Sequence, residues 1–293
     1  MTEKIFKINN LIKKYPEFTL GPLDIELNEG EVTGYIGQNA AGKTTTIRCL
    51  TGLSKIDSGS IKIFDKDTEN FRCDMKEKIG IIYEQQMFYE NMKAGWNLKT
   101  ISSFFKNWDT KIENHLIELF KINRNQKVSD LSRGTRVKLA FLVALSHKPE
   151  LLIMDEPTSG LDPIVRDDIL EFLARYKTDN KCSVFFSSHI ISDLEKIADT
   201  IIFLKEGRII CKESKSDIIR NWKIFSFSSV VEQLKKDTAT VSWRLSDAKF
   251  TVISKDEKST FSTLSSLDVK PAEVIETNLE NLTIEILKGN GNI

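Results

Sequence analysis

Short apolar runs alternate with longer helix-like patterns over the first two-thirds of the chain. The runs are rich in β-branched and aromatic residues and read "VTGYIG", "SIKIF", "LLIMD", "SVFFSS" and "TIIFL". Strands that alternate with helices are typical of an α/β fold with a largely parallel core sheet. Before them, "EKIFKINNLIKKYPEFTLGPLDIELNEGE" alternates with period two and has turn residues at Pro16, Gly21 and Gly30, which predicts an antiparallel β region.

Two later segments break this alternation. From Leu98 to about Leu145 the apolar positions recur with helical spacing, which predicts a helical layer inserted before "LLIMD". After Trp222 the composition shifts to Ser, Thr and Lys, with short strand-like runs and a closing helix-like "NLENLTIEILKG". We therefore predict a large α/β domain over 1–222, with a helical subdomain at about 85–148, and a small accessory α+β domain over 223–293.

Composition excludes several classes of protein. The chain has 293 residues, with 42 basic and 42 acidic side chains, so no nucleic-acid partner is expected. The four cysteines are far apart and form no C-x-x-C pair, which predicts neither a zinc site nor a disulfide framework. The N-terminal "MTEKIFKINN" lacks the apolar core of a signal peptide, and no apolar run approaches the roughly 18 residues that span a bilayer. We expect a chain that is soluble by itself.

The residues Gly37-x-x-x-x-Gly42-Lys43-Thr44 form a complete phosphate-binding loop between a predicted strand, 32–36, and a predicted helix, 45–50. Its glycines let backbone N–H groups cradle phosphate oxygens at a helix N-terminus. Lys43 supplies a positive charge toward the β and γ phosphates, and the Thr44 hydroxyl is a ligand for Mg²⁺. An ordinary tight turn is the alternative, but four fixed positions rarely coincide by chance. The predicted nucleotide-binding residues of this region are Gly37, Gln38, Asn39, Ala40, Ala41, Gly42, Lys43, Thr44 and Thr45.

A buried apolar strand, 151–154, ends at the acidic pair Asp155 and Glu156. The carboxyl end of such a strand delivers side chains to the sheet edge where ligands of α/β folds collect. Asp155 can help to hold Mg²⁺, and Glu156 can orient and deprotonate the water that attacks the γ-phosphate. An acidic pair often only ends a strand, so the assignment of this pair to a catalytic site depends on the neighbouring motifs.

Those neighbours are "LSRGT" upstream and "SGLD" and "SSHI" downstream. Together with the loop and the acidic pair, and in this order over about residues 1–215, they make the chain resemble the ATP-binding subunits of ABC transporters. The resemblance implies a P-loop NTPase fold of the ABC type and an ATPase that uses Mg²⁺. It also implies that Ser132 and Gly134 reach the γ-phosphate of ATP bound by another copy. The catalytic unit is therefore expected to be a dimer of identical or paralogous subunits.

The resemblance assigns three further positions. Tyr15 resembles the aromatic residue that stacks on adenine, and the alternative is a packed strand tyrosine. Asp162 in "SGLD" resembles the residue that links the two ATP sites across the dimer. His189 resembles the switch histidine, a catalytic residue that contacts the γ-phosphate.

Two segments depart from the family pattern. Arg133 and Thr135 replace the first glycine and the glutamine of the usual L-S-G-G-Q signature, and Ser132 and Gly134 are kept. In "IGIIYEQQMFYENM" the glutamine-loop position falls on Glu84, with Gln85 beside it. Either side chain can bring an oxygen to Mg²⁺ and water, so Glu84 is a candidate catalytic and metal-binding residue and Gln85 a candidate metal ligand.

The glutamine-loop segment, the signature and the closing "NLENLTIEIL" are similar to those of ABC-2 type exporters of peptides, bacteriocins or antibiotics. The implied partners are a second ABC ATPase subunit and a separate transmembrane permease, which docks a cytosolic helix into a groove beside the glutamine loop. The protein would then be cytoplasmic and peripheral on the inner face of the cell membrane. Tyr83, Met87, Phe88 and Tyr89 either line that groove or belong to the core of the helical layer. A soluble ABC ATPase without a membrane partner and an importer ATPase are the alternatives.

Overall fold

The computed structural model describes residues 3–68, 73–246, 249–276 and 278–291. Within these residues the strands are, in chain order, β1 (Lys4–Tyr15), β2 (Phe18–Asn28), β3 (Val32–Gly37), β4 (Ser58–Ile63), β5 (Lys66–Asp67), β6 (Ile79–Ile82), β7 (Leu151–Asp155), β8 (Ser183–Ser188), β9 (Thr200–Lys205), β10 (Arg208–Ser214), β11 (Lys223–Phe227), β12 (Thr240–Ser246), β13 (Lys249–Ser254), β14 (Glu273–Ile275) and β15 (Asn290–Gly291). The α-helices are α1 (Lys43–Leu50), α2 (Cys73–Lys76), α3 (Ala94–Ser102), α4 (Thr110–Phe120), α5 (Arg133–Leu145), α6 (Pro163–Asn180), α7 (Ile191–Ile197), α8 (Lys215–Asn221), α9 (Glu232–Lys235), α10 (Glu257–Ser266) and α11 (Leu279–Lys288).

The N-terminal strands form an antiparallel sheet in the order β2-β1-β4-β5. The apolar side chains that alternate along β1 and β2, such as Phe6, Ile8 and Leu23, are buried against the central sheet, where Phe6 meets Phe185 edge to face. This alternation is what the period-two pattern predicted, because successive strand residues point to opposite faces.

A six-stranded central sheet, in the order β10-β9-β3-β8-β7-β6, holds the candidate site. Five of its strands are parallel, and β10 adds to the edge antiparallel to β9. Every residue of β3, β7 and β8 is buried, as expected for parallel strands covered on both faces. The carboxyl ends of β3, β7 and β8 therefore lie side by side, which brings three separate sequence motifs together.

The helices α3, α4 and α5 lie between β6 and β7, where the sequence predicted a helical layer. The last of them, α5, contacts both α4 and β6 and carries the most buried face, with Leu139, Phe141 and Leu142 inaccessible to solvent. No described helix is both long enough and apolar enough to cross a membrane.

The C-terminal strands form a five-stranded antiparallel sheet in the order β14-β11-β13-β12-β15. One face, with Phe225, Phe227 and Phe250, packs under α9 and α10 in a small core of its own. The other face packs on α11, which also contacts α7, so that Leu282 and Ile286 belong to the large core. The fold is of the predicted α/β class, with an N-terminal antiparallel sheet, a central parallel sheet, an inserted helical layer and a C-terminal α+β unit. The domain boundary at residue 222 stays a prediction.

Candidate active site

The phosphate-binding loop is a turn that requires glycine at its last position. It leaves β3 at Gly37 and enters α1 at Lys43, and Ala40 and Gly42 have φ angles of 63° and 111°. A β-carbon on Gly42 would lie 2.6 Å from Leu20 Cδ1, so a side chain there would be both strained and obstructed. The loop thus ends on the N-terminus of α1, where backbone N–H groups and the helix dipole favour an anion.

Lys43 lies against this loop and is only 6% exposed. Its Nζ donates to the carbonyl oxygens of Gly37 at 2.8 Å and Gln38 at 3.2 Å, and lies 3.2 Å from Glu156 Oε1. The ammonium group is therefore fixed between the loop and the acidic pair, where it faces whatever anion the loop binds.

Asp155 and Glu156 occupy the carboxyl end of β7, as predicted. The Asp155 carboxylate is buried and accepts a 2.7 Å hydrogen bond from the Ser187 hydroxyl of the neighbouring strand β8. The Glu156 backbone N–H in turn donates to Ser187 Oγ at 3.1 Å. Glu156 has a φ of 48°, unusual for a residue with a side chain, and this turns its carboxylate from the strand toward the loop.

Glu156 is held on two sides. Its Oε2 accepts from the His189 backbone N–H at 3.2 Å and lies 2.6 Å from His189 Nδ1, while its Oε1 faces Lys43. Glu156 is buried, whereas the His189 ring is nearly half exposed. A buried carboxylate between an ammonium group and an imidazole, beside a phosphate-binding loop, has the placement of a general base for water.

These groups face an open cavity of about 860 Å³. Of the predicted site residues, the cavity is lined by Tyr15, Asn39, Ala40, Gly42, Lys43, Thr44, Thr45, Glu84, Glu156 and His189. Gly37, Gln38 and Ala41 form the loop behind it, and Asp155 is buried next to Glu156. Three lining residues were missed, Glu17, Phe18 and Ser159. Glu17 lies in the turn after Tyr15 and Phe18 begins β2, and their closeness to Tyr15 in the chain was the available signal.

Glu84 and Gln85 differ in their position. Both are exposed, but Glu84 lines the cavity and Gln85 does not. Tyr15, 43% exposed at the end of β1, also lines the cavity, and this position is unlike that of a packed strand tyrosine. The proposed roles of Glu84 at the metal and of Tyr15 at adenine stay predictions.

Comparison with known proteins agrees with this geometry. The family model described as "ABC transporter" matches residues 20–159. The chain is 31% identical to the bacitracin transport ATP-binding protein BcrA of Enterococcus faecalis, over 77% of this chain and 74% of that protein. It is 36% identical to the lantibiotic transport ATP-binding protein SrtF of Streptococcus pyogenes, over 71% of this chain and 90% of that protein.

The chain belongs to the ATP-binding proteins of the ABC transporter family. A solved ATP-binding subunit of an ABC transporter superposes with a TM-score of 0.67 at 25% identity, covering 74% of this chain and 92% of that one. The dimeric bacterial cassette MJ0796, with a TM-score of 0.65 at 22% identity and coverage of 71% and 98%, shares the fold. The predicted family, fold class and ATPase activity are confirmed.

In this ABC ATPase the signature residues do not line the cavity of their own chain. Ser132 is exposed and caps α5, with its Oγ accepting from the Thr135 N–H at 3.2 Å. Gly134 faces Val165 of α6, since a β-carbon there would lie 3.3 Å from Val165 Cγ1. Asp162 caps α6 by accepting from the Val165 N–H at 3.0 Å. The signature and the segment after Glu156 therefore pack together at the N-termini of α5 and α6.

A buried polar network behind the site was not predicted. Asp193 of α7 is fully buried and accepts hydrogen bonds from the Thr158 hydroxyl, at 2.5 Å, and from Arg166 of α6. Burial, the main influence, raises the pKa of Asp193, while the bonds from Thr158 and Arg166 lower it. We call this network of Asp193, Thr158 and Arg166 the Asp193 clamp. Thr158 follows Glu156 by two residues and Asp193 follows His189 by four. The Asp193 clamp therefore joins the segment that carries Glu156 to the segment that carries His189.

Proposed function

We propose that this ABC ATPase binds MgATP in the cavity at Lys43, hydrolyses it with Glu156 as general base, and powers a membrane exporter together with a separate permease. The observation that carries the proposal is the Glu156 carboxylate, fixed between Lys43 and His189 at the mouth of the phosphate-binding loop. A positioned base of this kind contributes about 10²–10⁴ in rate. Lys43 opposes the negative charge of the phosphates, and His189 holds Glu156 in place.

The donors around the loop suit Mg²⁺. The Thr44 hydroxyl lines the cavity, and the Asp155 carboxylate lies behind it; hydroxyl and carboxylate oxygens are the hard ligands that Mg²⁺ prefers. Glu84 adds a second carboxylate at the cavity wall. In this proposal Thr44 and Asp155 would hold Mg²⁺ beside the bound ATP, and the ion would supply positive charge that offsets the charge of the phosphates.

We further propose that two copies, or this chain and a paralogue, enclose ATP between them. Ser132 and Gly134 lie outside the cavity of their own chain, and Ser132 is exposed at the N-terminus of α5, a location suited to a phosphate from a facing copy. The fold shared with the dimeric cassette MJ0796 supports this arrangement. Asp162, exposed at the start of α6, would lie at the same interface.

An apolar surface beside Glu84 supports a permease partner. Met87 and Tyr89 follow Glu84 in the chain and are 90% and 64% exposed, and Trp96, which meets Tyr89 edge to face, is 40% exposed. Exposed apolar side chains clustered on one surface are typical of protein interaction sites. The relatives named for bacitracin and lantibiotic transport favour an exporter of peptide antibiotics. This ABC ATPase would then work at the inner face of the cell membrane.

Lys43→Ala tests the catalytic part of the proposal. The change leaves the loop backbone in place but removes the charge opposite the phosphates, so we expect ATP hydrolysis by the purified protein to fall at least 100-fold, about 2.7 kcal/mol in barrier height. Lys62→Ala, at an exposed lysine of β4, is the matched control and should keep wild-type activity. Comparable ATPase activity in Lys43→Ala would refute the assigned site.

A further inference from the structure

The C-terminal sheet has a row of polar side chains on the face that packs against α11. Register pairs Ser226 of β11 with Thr251 of β13, and Thr251 with Arg244 of β12. In the next row, Ile224 pairs with Ile253 and with Ile275 of β14. The isoleucine row packs in the large core with Leu282 and Ile286 of α11, whereas the polar row meets α11 through the ion pair of Arg244 with Glu285.

This polar row forms one wall of a cavity of about 250 Å³ between the sheet and α11. The opposite wall is formed by Asn281, Ile284 and Glu285 of α11, which lie on one side of the helix by their spacing of three and four residues. The volume lies just below the range of about 300–1,000 Å³ of pockets for drug-sized ligands. A molecule of amino-acid size fits, and a nucleotide does not.

Three polar atoms at this cavity are buried and have no hydrogen-bond partner within the described part of the chain: Ser226 Oγ, Arg244 Nε and Glu285 Oε2. Ser226 is 1% exposed. Arg244 and Glu285 pair with each other through Nη2 and Oε1 at 2.7 Å, and among the described residues this pairing leaves the buried Nε–H of Arg244 and the buried Oε2 of Glu285 unused. Each buried atom without a partner is unfavourable, so the cavity is chemically incomplete by itself.

We propose that this cavity binds a small carboxylate that carries a hydrogen-bond donor on its α-carbon, that is, an α-amino or α-hydroxy acid with an apolar side chain. The ligand carboxylate pairs with Arg244, with Lys249 at the rim adding positive charge, and accepts from the Ser226 hydroxyl. The α-substituent donates to Glu285 Oε2. The apolar side chain lies against Ile224 and the other two isoleucines of the wall, Ile275 and Ile284.

The charges of the wall favour this class of ligand over others. Arg244 and Lys249 against Glu285 give the lining itself one net positive charge, which suits a single carboxylate rather than a cation. Lys249 also pairs at 3.5 Å with Glu273 outside the lining, so Arg244 is the main positive group for the carboxylate. An inorganic anion would leave the Glu285 acceptor and the isoleucine wall unused. Arg244 and Glu285 are 31% and 19% exposed, so a rotation of these long side chains lets a ligand reach the buried atoms.

A ligand here would contact the helix that joins the two parts of the protein. One side of α11 lines the cavity, and its buried residues Leu282 and Ile286 pack in the large core, where α11 also contacts α7. The helix α7 begins two residues after His189. The proposed ligand site is therefore connected to His189 through α11 and α7, although it is distinct from the ATP cavity.

Calorimetry and thermal unfolding of the full-length protein test the proposal. The probes are L-leucine, 2-hydroxyisocaproate, L-leucinamide without the carboxylate, 4-methylpentanoate without the α-donor, and inorganic phosphate. We expect at least one of the first two probes to bind and to raise Tm by about 2–4 °C at ten times its Kd. Whichever of L-leucine and 2-hydroxyisocaproate binds more tightly shows whether the α-substituent is an amino or a hydroxyl group. L-leucinamide, 4-methylpentanoate and phosphate should bind at least tenfold more weakly.

Ser226→Ala is the sharpest variant, because it removes a hydroxyl for which the described residues provide no hydrogen-bond partner. We expect the Tm without ligand to be equal to or above that of wild type, with affinity for the binding probe at least fivefold lower. Ser262→Ala, the same change on the exposed side of α10 across the sheet, should bind as wild type. The proposal is overturned if neither acid binds, if phosphate, leucinamide or 4-methylpentanoate binds equally well, or if Ser226→Ala keeps full affinity.

Discussion

Replacing Asp193 by Ala is expected to destabilise the ABC ATPase strongly, because the Asp193 clamp is buried. The variant leaves the Thr158 hydroxyl, 1% exposed, and the Arg166 guanidinium without their shared acceptor. An orphaned buried hydroxyl costs about 1–3 kcal/mol, and loss of one partner of a buried ion pair costs about 3–5 kcal/mol. Since Arg166 is 25% exposed and can turn to water, we expect a loss of about 3–4 kcal/mol in the free energy of unfolding.

Asp193→Asn is expected to cost only about 1 kcal/mol. The amide keeps an oxygen for Arg166 and offers its NH₂ group to the Thr158 hydroxyl, which can accept as well as donate. Burial raises the pKa of Asp193, so the ionised carboxyl is unfavourable in the folded state, and the neutral amide avoids this cost. Because the folded pKa is raised, the proton-linked part of the stability that Asp193 contributes is complete below its unfolded pKa of 3.8 and is lost as the pH rises through the folded pKa. The hydrogen bonds from Thr158 and Arg166, which Asp193→Ala removes, are separate from this part and set the loss expected at pH 7.

Urea unfolding at pH 7, followed by tryptophan fluorescence, measures both variants. The matched control is Asp167→Ala, which removes an ion pair between Asp167 and Lys196 on the same two helices, α6 and α7. Both side chains are about half exposed, so the control should lose less than about 1 kcal/mol. If Asp193→Ala loses no more than Asp167→Ala, the Asp193 clamp does not stabilise these segments and the reasoning is wrong.

Two further changes test the C-terminal unit and the glutamine loop. Ending the chain after Trp222 removes Leu282 and Ile286 from the large core, so we expect less soluble protein and a lower unfolding midpoint, with ATP binding kept by the fraction that folds. A truncated protein with the wild-type midpoint would show that the two parts are independent. Glu84→Ala is expected to lower export by the assembled transporter more than it lowers the ATPase rate, and Glu84→Gln to be milder. Gln85→Ala is the control, and uncoupling by it alone would shift the glutamine-loop position by one residue.

The phosphate loop and the acidic pair were predictable because their signals are local. A glycine-bracketed turn between an apolar strand and a helix places Lys43 by chain connectivity, and an apolar run that ends in Asp155 and Glu156 places both carboxylates at a sheet edge. That the loop and the pair meet follows from parallel strands with a common direction. The sequence could therefore predict that Lys43 and Glu156 lie close together, but not that their charged atoms are 3.2 Å apart.

The Asp193 clamp could not be predicted in this way. Asp193 lies in the first turn of α7, where an acidic residue is favourable at the surface, so the sequence carries no sign that it is buried. Its partners Arg166 and Thr158 lie 27 and 35 residues away, and only the packing of α6 on α7 brings the three together. The role of α11 was missed for the same reason, because its apolar face does not reveal that Leu282 packs in one core with both its own sheet and the larger domain.

The molar mass of the Glu156→Gln variant in the presence of MgATP most directly tests the central claim, that ATP is enclosed between two copies and hydrolysed with Glu156 as the base. This variant should bind ATP but lack the general base, so ATP should persist between two copies and the mass by light scattering should rise from 33.4 kDa to twice that value. Adding Ser132→Arg in the same chain should keep ATP binding and abolish the dimer, because it places a bulky side chain where the facing phosphate would lie. A Glu156→Gln protein that binds ATP yet stays at 33.4 kDa would contradict the ATP-bound dimer of identical copies.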